Sequence, residues 1–326
     1  MKVTVLGAGA WGTALARLLS QGQHALTLWG HDAAHLEEMK RSGRNARYLP
    51  DIPLPDDWRI EKEISPAIAD AECVVVAVPS QAFREATRGL ASYPGIVVSV
   101  TKGIEHDTGL TMCGILGEVA PRSKHAALSG PTLAPEVARG IPTACVAASG
   151  DLETAQTVQK LFHRPTFRVY TSADVAGVEL GGALKNVIAI AAGMCDGLGF
   201  GDNSKAALIT RAIAEIRRLG VACGAQPETF SGLSGLGDLA VTCFSRLSRN
   251  RGLGELLARG EKLHDLLSKM VTVAEGVPTA QSAFQLARKL QVVTPIIDQV
   301  YAMLYEGKNV AEAVRDLTRR DSKAED

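Results

Sequence analysis

The sequence predicts a doubly wound α/β sheet domain over residues 1–172, followed by an all-α domain over residues 173–326. Three observations carry this. Short β-branched runs alternate with helical patterns as far as Tyr170. A glycine-rich turn joins the first such run to the first helix. After Thr171 the β-branched runs largely vanish and apolar residues recur at helical spacing. At 326 residues and 46% apolar content, the chain has the length and material for two cores.

Residues 2–6 read as a buried strand that ends in glycine. Gly7-Ala8-Gly9-Ala10-Trp11-Gly12 follows, then a helix through Leu15, Leu18 and Leu19, and a second strand at His24–Trp29. This is G-x-G-x-x-G in strand–loop–helix–strand context, a Rossmann-like dinucleotide site. Gly7 makes the turn, Gly9 lets the backbone approach a diphosphate, and Gly12 lets the helix pack close to the sheet. An acid that would bind the ribose hydroxyls is expected about 20 positions on. The second strand instead ends Trp29-Gly30-His31-Asp32, with Arg41, Arg44 and Arg47 beyond it. Those arginines form either a solvated face or a site for a 2′-phosphate, so NADP and NAD both stay open.

Further parallel strands are predicted at Cys73–Val78 and Ile96–Val100, closed by Pro79-Ser80 and by Thr101-Lys102-Gly103. Loops at the carboxyl ends of such strands line the ligand crevice, which turns Pro79, Ser80 and Lys102 toward cofactor and substrate. Lys102 can hold a phosphate as a point charge. Ala126–Leu128 leads into Ser129-Gly130-Pro131-Thr132, another strand-end turn. A strand at Thr143–Ala148, a helix near Leu152–Phe162 and a strand at Phe167–Tyr170 complete the first domain.

The second domain reads as helices over 175–194, 204–219, 253–259, 279–290, 295–306 and 310–319. Its first helix carries Lys185 as the only acid or base between Glu179 and Asp196, apart from the thiol of Cys195. Gly181 and Gly182 precede Lys185 by one turn, and no carboxylate stands three or four residues away to pair with it. Two readings compete: a lysine that snorkels to the surface, or a buried amine with reduced proton affinity that can serve as a general base. A cleft between the domains favours the second. Ser231–Asp238 (SGLSGLGD) reads as a helix–helix loop or as a site segment with a carboxylate at Asp238. Ser248-Arg249-Asn250-Arg251 reads as a capped helix start or as a phosphate-binding set.

Composition bounds the alternatives. Thirty-five basic and 35 acidic residues cancel, which argues against nucleic acid as the default partner. Six dispersed cysteines without a C-x-x-C pair read as reduced thiols of a cytoplasmic protein, with no zinc site. The opening strand leaves no room for a signal peptide. No uninterrupted apolar run reaches the ~18 residues of a bilayer span, which predicts no membrane insertion. There is no G-x-S-x-G elbow and no G-K-[ST] loop. None of the seven scattered histidines is assigned to catalysis.

Along almost its whole length the sequence resembles the bacterial-type NAD(P)-dependent glycerol-3-phosphate dehydrogenases. The likeness rests on GAGAWGTALA (7–16), LWGHD (28–32), RYLPDIPLP (47–55), VPSQ (78–81), TKGIE (101–105), SGPTLAPEVARGIPT (129–143), ELGGALKNVIAIAAG (179–193), KAALITRAIAEI (205–216), LSGLGDLAVTC (233–243), SRNR (248–251) and AEGVPTA (274–280). The resemblance implies reversible reduction of dihydroxyacetone phosphate to sn-glycerol 3-phosphate for phospholipid synthesis, with Lys185 as the acid/base. It implies a substrate site of Lys102, Gly130, Thr132, Lys185, Asp238, Ser248, Arg249 and Asn250. It also implies cofactor contacts from the loop Gly7, Gly9, Ala10, Trp11 and Gly12, and from His31, Lys102, Ala134, Arg249, Val273 and Glu275. Glu275 follows the short run Val271–Val273, on a loop that would reach back to the sheet domain. A homodimer is compatible with the likeness, its interface supplied by the helical half. Two positions depart from the pattern: Ala10 stands where a hydroxyl residue is common, and Pro135 where a longer polar residue is common. Rival readings are another two-domain β-hydroxyacid or 6-phosphogluconate-type dehydrogenase, disfavoured by the GLGDL and SRN blocks, and a non-catalytic dinucleotide-sensing module.

Overall fold

The computed structural model describes residues 1–270 and 272–319. Ten strands are formed: β1 (Lys2–Leu6), β2 (Ala25–Trp29), β3 (Arg44–Asn45), β4 (Leu49–Pro53), β5 (Arg59–Glu61), β6 (Cys73–Val76), β7 (Ile96–Ser99), β8 (Lys124–Ser129), β9 (Thr143–Ala148) and β10 (Phe167–Ser172). Eight of them make one sheet in the order β10-β9-β8-β7-β6-β1-β2-β5, while β3 and β4 pair separately as an antiparallel hairpin. The order runs outward in both directions from β1, which puts the glycine loop at the switch point where such sheets bind ligands.

All sheet pairs are parallel except β8–β9, which is antiparallel. The sequence marks β9 as a strand but not its direction. The direction is antiparallel because only residues 130–142 join the two strands, with one short helix, Ala134–Ala138, in between. A parallel crossover usually needs a longer helix to return the chain to the same edge.

Two apolar clusters cover the faces of the sheet, one built on Val3, Val5, Leu15 and Leu28, the other on Leu6, Val74, Val76 and Phe83. β6 is buried on both faces, as its CVVV run requires. The sheet ends at Ser172, and a 23-residue helix starts at Val175. Asp174 caps that helix by accepting from Gly177 N at 2.9 Å, and also takes Gln226 N and Thr229 Oγ1 at 3.0 and 2.6 Å.

The helix Val175–Gly197 is the centre of the second half. Val187, Ile188, Ala189 and Ile190 are wholly buried, and each large aliphatic side chain so buried contributes about 1.5–3 kcal/mol. By length and mean hydropathy, 1.5, it matches a membrane span, contrary to the expectation that no segment would. Lys185 breaks the apolar run, and any 18 residues of this helix also include Glu179 or Asp196, yet two charges leave the average strongly apolar. Of its apolar window 83% is buried inside the protein, so the hydrophobicity is spent on packing against neighbouring helices.

Other predicted helices appear: Asp202–Ala222 is longer at both ends, Arg249–Ala258 and Gly276–Lys289 start earlier and stop one residue sooner, and Pro295–Tyr305 and Val310–Thr318 stop one residue sooner. Helices Asp238–Phe244 and Leu263–Lys269 were not foreseen. The N-terminus of Pro295–Tyr305 is capped by the buried carboxylate of Glu215, which accepts from Ile296 N and Ile297 N at 3.0 and 2.8 Å.

Candidate active site

The glycine loop is built by close approach. Gly7 has φ 127°, and a Cβ on it would stand 2.5 Å from Ala77 O; one on Gly12 would stand 1.8 Å from Gly7 O. Both positions therefore require glycine. Gly9, by contrast, faces open space, with nothing within 4 Å of where its Cβ would be. As N-cap of the helix Ala10–Ser20 it supplies no side-chain bond, so the first-turn amides are left for a ligand. An anionic diphosphate fits this cradle.

Ala10, Trp11 and Ala134 pack on an apolar cluster of Ala14, Leu49, Ile52 and Ala138, which gives the missing hydroxyl at position 10 an apolar setting. Trp11 donates Nε1–H to Val100 O at 3.2 Å and so ties the loop to the end of β7. Asn45, fully buried, donates to Ala8 O and Thr13 Oγ1 at 3.0 and 2.8 Å. It braces the loop from below, and sequence reasoning missed it: one amide in an arginine-rich stretch carries no signal of burial.

Beyond β2, His31 is exposed. Asp32 is committed to capping the helix Ala33–Ser42, accepting from His35 N at 3.0 Å, and it also pairs with Arg47 Nη1 at 3.2 Å. Of the other two arginines, Arg41 pairs with Glu38 and Arg44 donates to Pro50 O.

The centre of the cleft is a three-residue charge constellation. Gly181 and Gly182 let the segments after Phe230 and β8 press against the central helix: a Cβ on Gly181 would meet Ser234 O at 2.6 Å, and one on Gly182 would meet Ser129 Oγ at 2.5 Å. This brings Asp238, 1% exposed, to Lys185, 7% exposed. Lys185 Nζ donates to Asp238 Oδ1 at 2.6 Å and to Thr242 Oγ1 at 2.8 Å. Lys102 Nζ donates to the other oxygen, Asp238 Oδ2, at 2.6 Å and to Gly130 O at 2.9 Å, with Thr132 Oγ1 at 3.5 Å. Burial lowers the Lys185 pKa to about 8; Asp238 opposes that shift and Lys102 adds to it.

Lys102, Gly130, Thr132, Lys185 and Asp238, drawn from four separate stretches of chain, thus meet at one point. The sequence leaves Lys185 without an acid because its partner Asp238 lies outside its own helix. Thr242 was also missed, although it stands one helical turn after Asp238.

The SRNR segment is mostly engaged in structure. Ser248 caps the helix by accepting from Arg251 N at 3.2 Å. Asn250 donates to Asn186 Oδ1 at 3.0 Å and accepts from Gly276 N at 2.9 Å. Arg251 pairs with Asp196 at 2.6 Å. Arg249 is exposed on the first turn of its helix. Glu275 reaches across to the sheet half, where its carboxylate accepts from Ser80 N at 3.1 Å and Ser80 Oγ at 2.5 Å. Burial raises its pKa, while the Ser80 bonds and Arg249 oppose the rise. Val273 is exposed, and Val271 lies outside the described residues. A cavity of about 280 Å³ lined by Cys113, Lys124, His125, Ser149, Gly150, Asp151 and Val175 includes none of these residues.

The site joins a buried amine of lowered proton affinity to a second ammonium on one carboxylate, and the glycine loop offers a cradle for an anionic diphosphate. Comparison with known proteins agrees. Residues 2–155 match the model of the NAD-dependent glycerol-3-phosphate dehydrogenase N-terminus, and residues 174–315 that of its C-terminus. The chain is 51% identical to glycerol-3-phosphate dehydrogenase [NAD(P)+] of Syntrophotalea carbinolica, over 100% of this chain and 99% of that one. It is 49% identical to the enzyme of the same name from Chlorobium phaeobacteroides, with the same coverage. Among solved structures it resembles the glycerol-3-phosphate dehydrogenase of Coxiella burnetii, with a TM-score of 0.94 at 35% identity, over 98% of this chain and 99% of that one.

Proposed function

The chain belongs to the NAD-dependent glycerol-3-phosphate dehydrogenase family, and from that premise we propose that it interconverts dihydroxyacetone phosphate and sn-glycerol 3-phosphate with NAD(P)H or NAD(P)+, Lys185 acting as general acid and base. The observation that carries this reading is the buried Lys185–Asp238–Lys102 constellation. When bound, the nicotinamide cofactor gives the hydride in reduction and receives it in oxidation.

Lys185 serves the oxygen on C2 of the substrate. In reduction its ammonium gives a proton to the carbonyl oxygen as that oxygen gains electron density; in oxidation the neutral amine takes the proton from the hydroxyl. A pKa of about 8 puts both forms within reach of neutral pH. Asp238 orients the amine and keeps its charged form accessible in a buried setting. Lys102 and Arg249 bind the anionic end of the substrate, Arg249 through a planar fork suited to phosphate. Gly130, Thr132, Ser248 and Asn250 complete the substrate site, with Asn250 and Ser248 acting chiefly by holding their segment in place. The glycine loop, Ala10, Trp11, His31, Ala134, Val273 and Glu275 line the cofactor side.

In this reading the chain divides after residue 172 into a cofactor half and a substrate half. Six free cysteines support a reducing, cytoplasmic setting, where the product enters glycerophospholipid synthesis. A homodimer built through the helical half is part of the same proposal. The direct test offers dihydroxyacetone phosphate beside other small carbonyl compounds and follows the loss of nicotinamide absorbance. Consumption of NADH or NADPH with dihydroxyacetone phosphate is expected; reduction of another carbonyl compound in its place would overturn the assignment.

A further inference from the structure

Between the central helix and the helix Arg249–Ala258 runs a seam of bare backbone. A Cβ on Gly193 would stand 1.8 Å from Arg251 O, and one on Gly254 would stand 2.0 Å from Ile190 O. Helices usually hold their register by side-chain ridges seated in grooves. The glycines let the two backbones meet, and Leu253 packs into the core beside them. This contact sets where the helix lies, and polar contacts at its ends set how its first turn is held.

Two such contacts bracket the seam. Near its start, Asn250 donates to Asn186 on the central helix at 3.0 Å. Toward the end of the central helix, Asp196 forms ion pairs with Arg251, Oδ2 to Nε at 2.6 Å, and with Lys205, Oδ1 to Nζ at 2.5 Å, the Arg251 Nε–H not being aligned for a hydrogen bond. All three side chains are nearly enclosed, with 15%, 12% and 10% of the Asp196, Arg251 and Lys205 side chains exposed. Lys205 lies on a third helix, Asp202–Ala222, and its ammonium also stands over the Phe244 ring at 5.4 Å. Arg251 is therefore gripped by a carboxylate that is itself anchored to another helix. Arg249 sits two residues before it on the same first turn.

We propose that Asp196 is a positioning residue for the substrate's phosphate: by holding Arg251 it sets how the first turn of the helix Arg249–Ala258 is held, and with it the reach of Arg249 into the cleft. This rests on the reading of Arg249 as a phosphate contact given above. Nothing in it requires Asp196 to touch substrate or cofactor. Releasing Arg251 frees the first turn to shift, and small misplacements of a binding group are costly.

The test compares Asp196→Asn, which keeps shape and removes charge, with Arg251→Lys, which keeps charge and removes the fork. Steady-state constants for dihydroxyacetone phosphate, the dissociation constant for NADPH by fluorescence, and the thermal midpoint are read for each. For Asp196→Asn the KM for dihydroxyacetone phosphate is expected to rise roughly tenfold or more, with kcat and NADPH affinity within about twofold of the parent. Arg251→Lys is expected to raise KM by less, and it decides the matter should Asp196→Asn fail to fold. Arg249→Ala serves as the reference: it raises KM, and adding Asp196→Asn to it costs little more, because both act on one contact.

An unchanged KM in a folded Asp196→Asn protein overturns the inference, as does a parallel loss of kcat, NADPH affinity and thermal midpoint, which would mark a general loosening. If instead Arg249→Ala itself leaves KM unchanged, the phosphate reading of Arg249 fails, and the two failures are distinct.

Discussion

Lys185 and Lys102 divide the Asp238 carboxylate between them, Nζ to Oδ1 and Nζ to Oδ2, each at 2.6 Å. One buried negative charge serves two ammonium groups, so this corner of the cleft carries a net positive charge when both are protonated. That excess has two uses. It attracts an anionic substrate, and the Lys102 charge adds to the burial that lowers the proton affinity of Lys185.

The first prediction concerns Lys185 itself. Lys185→Ala removes the proton carrier and leaves the glycine loop untouched. Turnover is expected to fall by the ~10²–10⁴ typical of a general acid or base, while the dissociation constant for NADPH, measured by fluorescence, stays near its parent value. Turnover within a few-fold of the parent would remove Lys185 from the chemistry.

A second prediction is the pH profile. Reduction needs Lys185 protonated, so its kcat should fall as pH rises through about 8; oxidation needs the neutral amine, so its kcat should rise through the same region. Asp238 is the group that holds this pKa up, against burial and the Lys102 charge. Asp238→Asn should therefore shift both limbs to lower pH and leave reduction at neutral pH the more impaired direction. It also leaves two buried or half-buried ammonium groups without their counter-ion, a change of the kind that costs ~3–5 kcal/mol, so a clear drop in thermal midpoint accompanies it.

What the sequence could convey follows from the range of each interaction. Gly7, Gly9 and Gly12 are local, and their spacing carries the loop. Lys185 stood out because its own helix offers it no partner; that isolation left snorkelling and burial both open, and the two-domain arrangement favoured burial. Asp238 lies 53 residues further on, and it reaches Lys185 through tertiary packing that includes the approach of Ser234 to Gly181. Asn45 and Ser80 act through tertiary bonds to Ala8 and Glu275, which no local period encodes. The antiparallel pairing of β8 with β9 was equally hidden: both strands lie mainly buried, and a two-residue period reads the same in either direction.

The third prediction uses buried acids outside the cleft. Burial pushes the carboxyl of Glu179 up to about 7, against the backbone amide of Cys113 that it accepts at 3.0 Å. Glu215 is raised to about 7 in the same way. A raised acid binds a proton in the folded state at pH values where the unfolded chain has already lost it. Stability contributed by that proton is full below the unfolded value of 4.5 and is lost as pH rises toward about 7. Denaturant titrations at about pH 5 and about pH 8 should show the loss, and Glu179→Gln, which still accepts from Cys113 N, should show less of it. An equal pH dependence in the variant would show that Glu179 titrates normally.

The last prediction concerns cofactor choice. An acid that selects NAD must offer free carboxylate oxygens to the ribose diol at the end of β2. Here β2 ends at Trp29, glycine and an exposed histidine follow, and Asp32 is turned into the next helix as its cap, with its second oxygen on Arg47. Arg47 in turn lies over the Tyr48 ring at 5.2 Å, which steadies its guanidinium at this edge. Arg41 and Arg44 are bound to Glu38 and to Pro50 O, whereas the partner of Arg47 is Asp32, just past the end of β2, which makes Arg47 the arginine of the three best placed for a 2′-phosphate. Calorimetry with 2′,5′-ADP and 5′-AMP reads this without turnover. Arg47→Ala should weaken 2′,5′-ADP by roughly three- to tenfold, a modest effect because the guanidinium is half-exposed and screened by water. Binding of 5′-AMP should hardly move. Equal weakening of both ligands would place Arg47 in the general shape of the adenosine pocket, and the choice between NADP and NAD would then rest with His31.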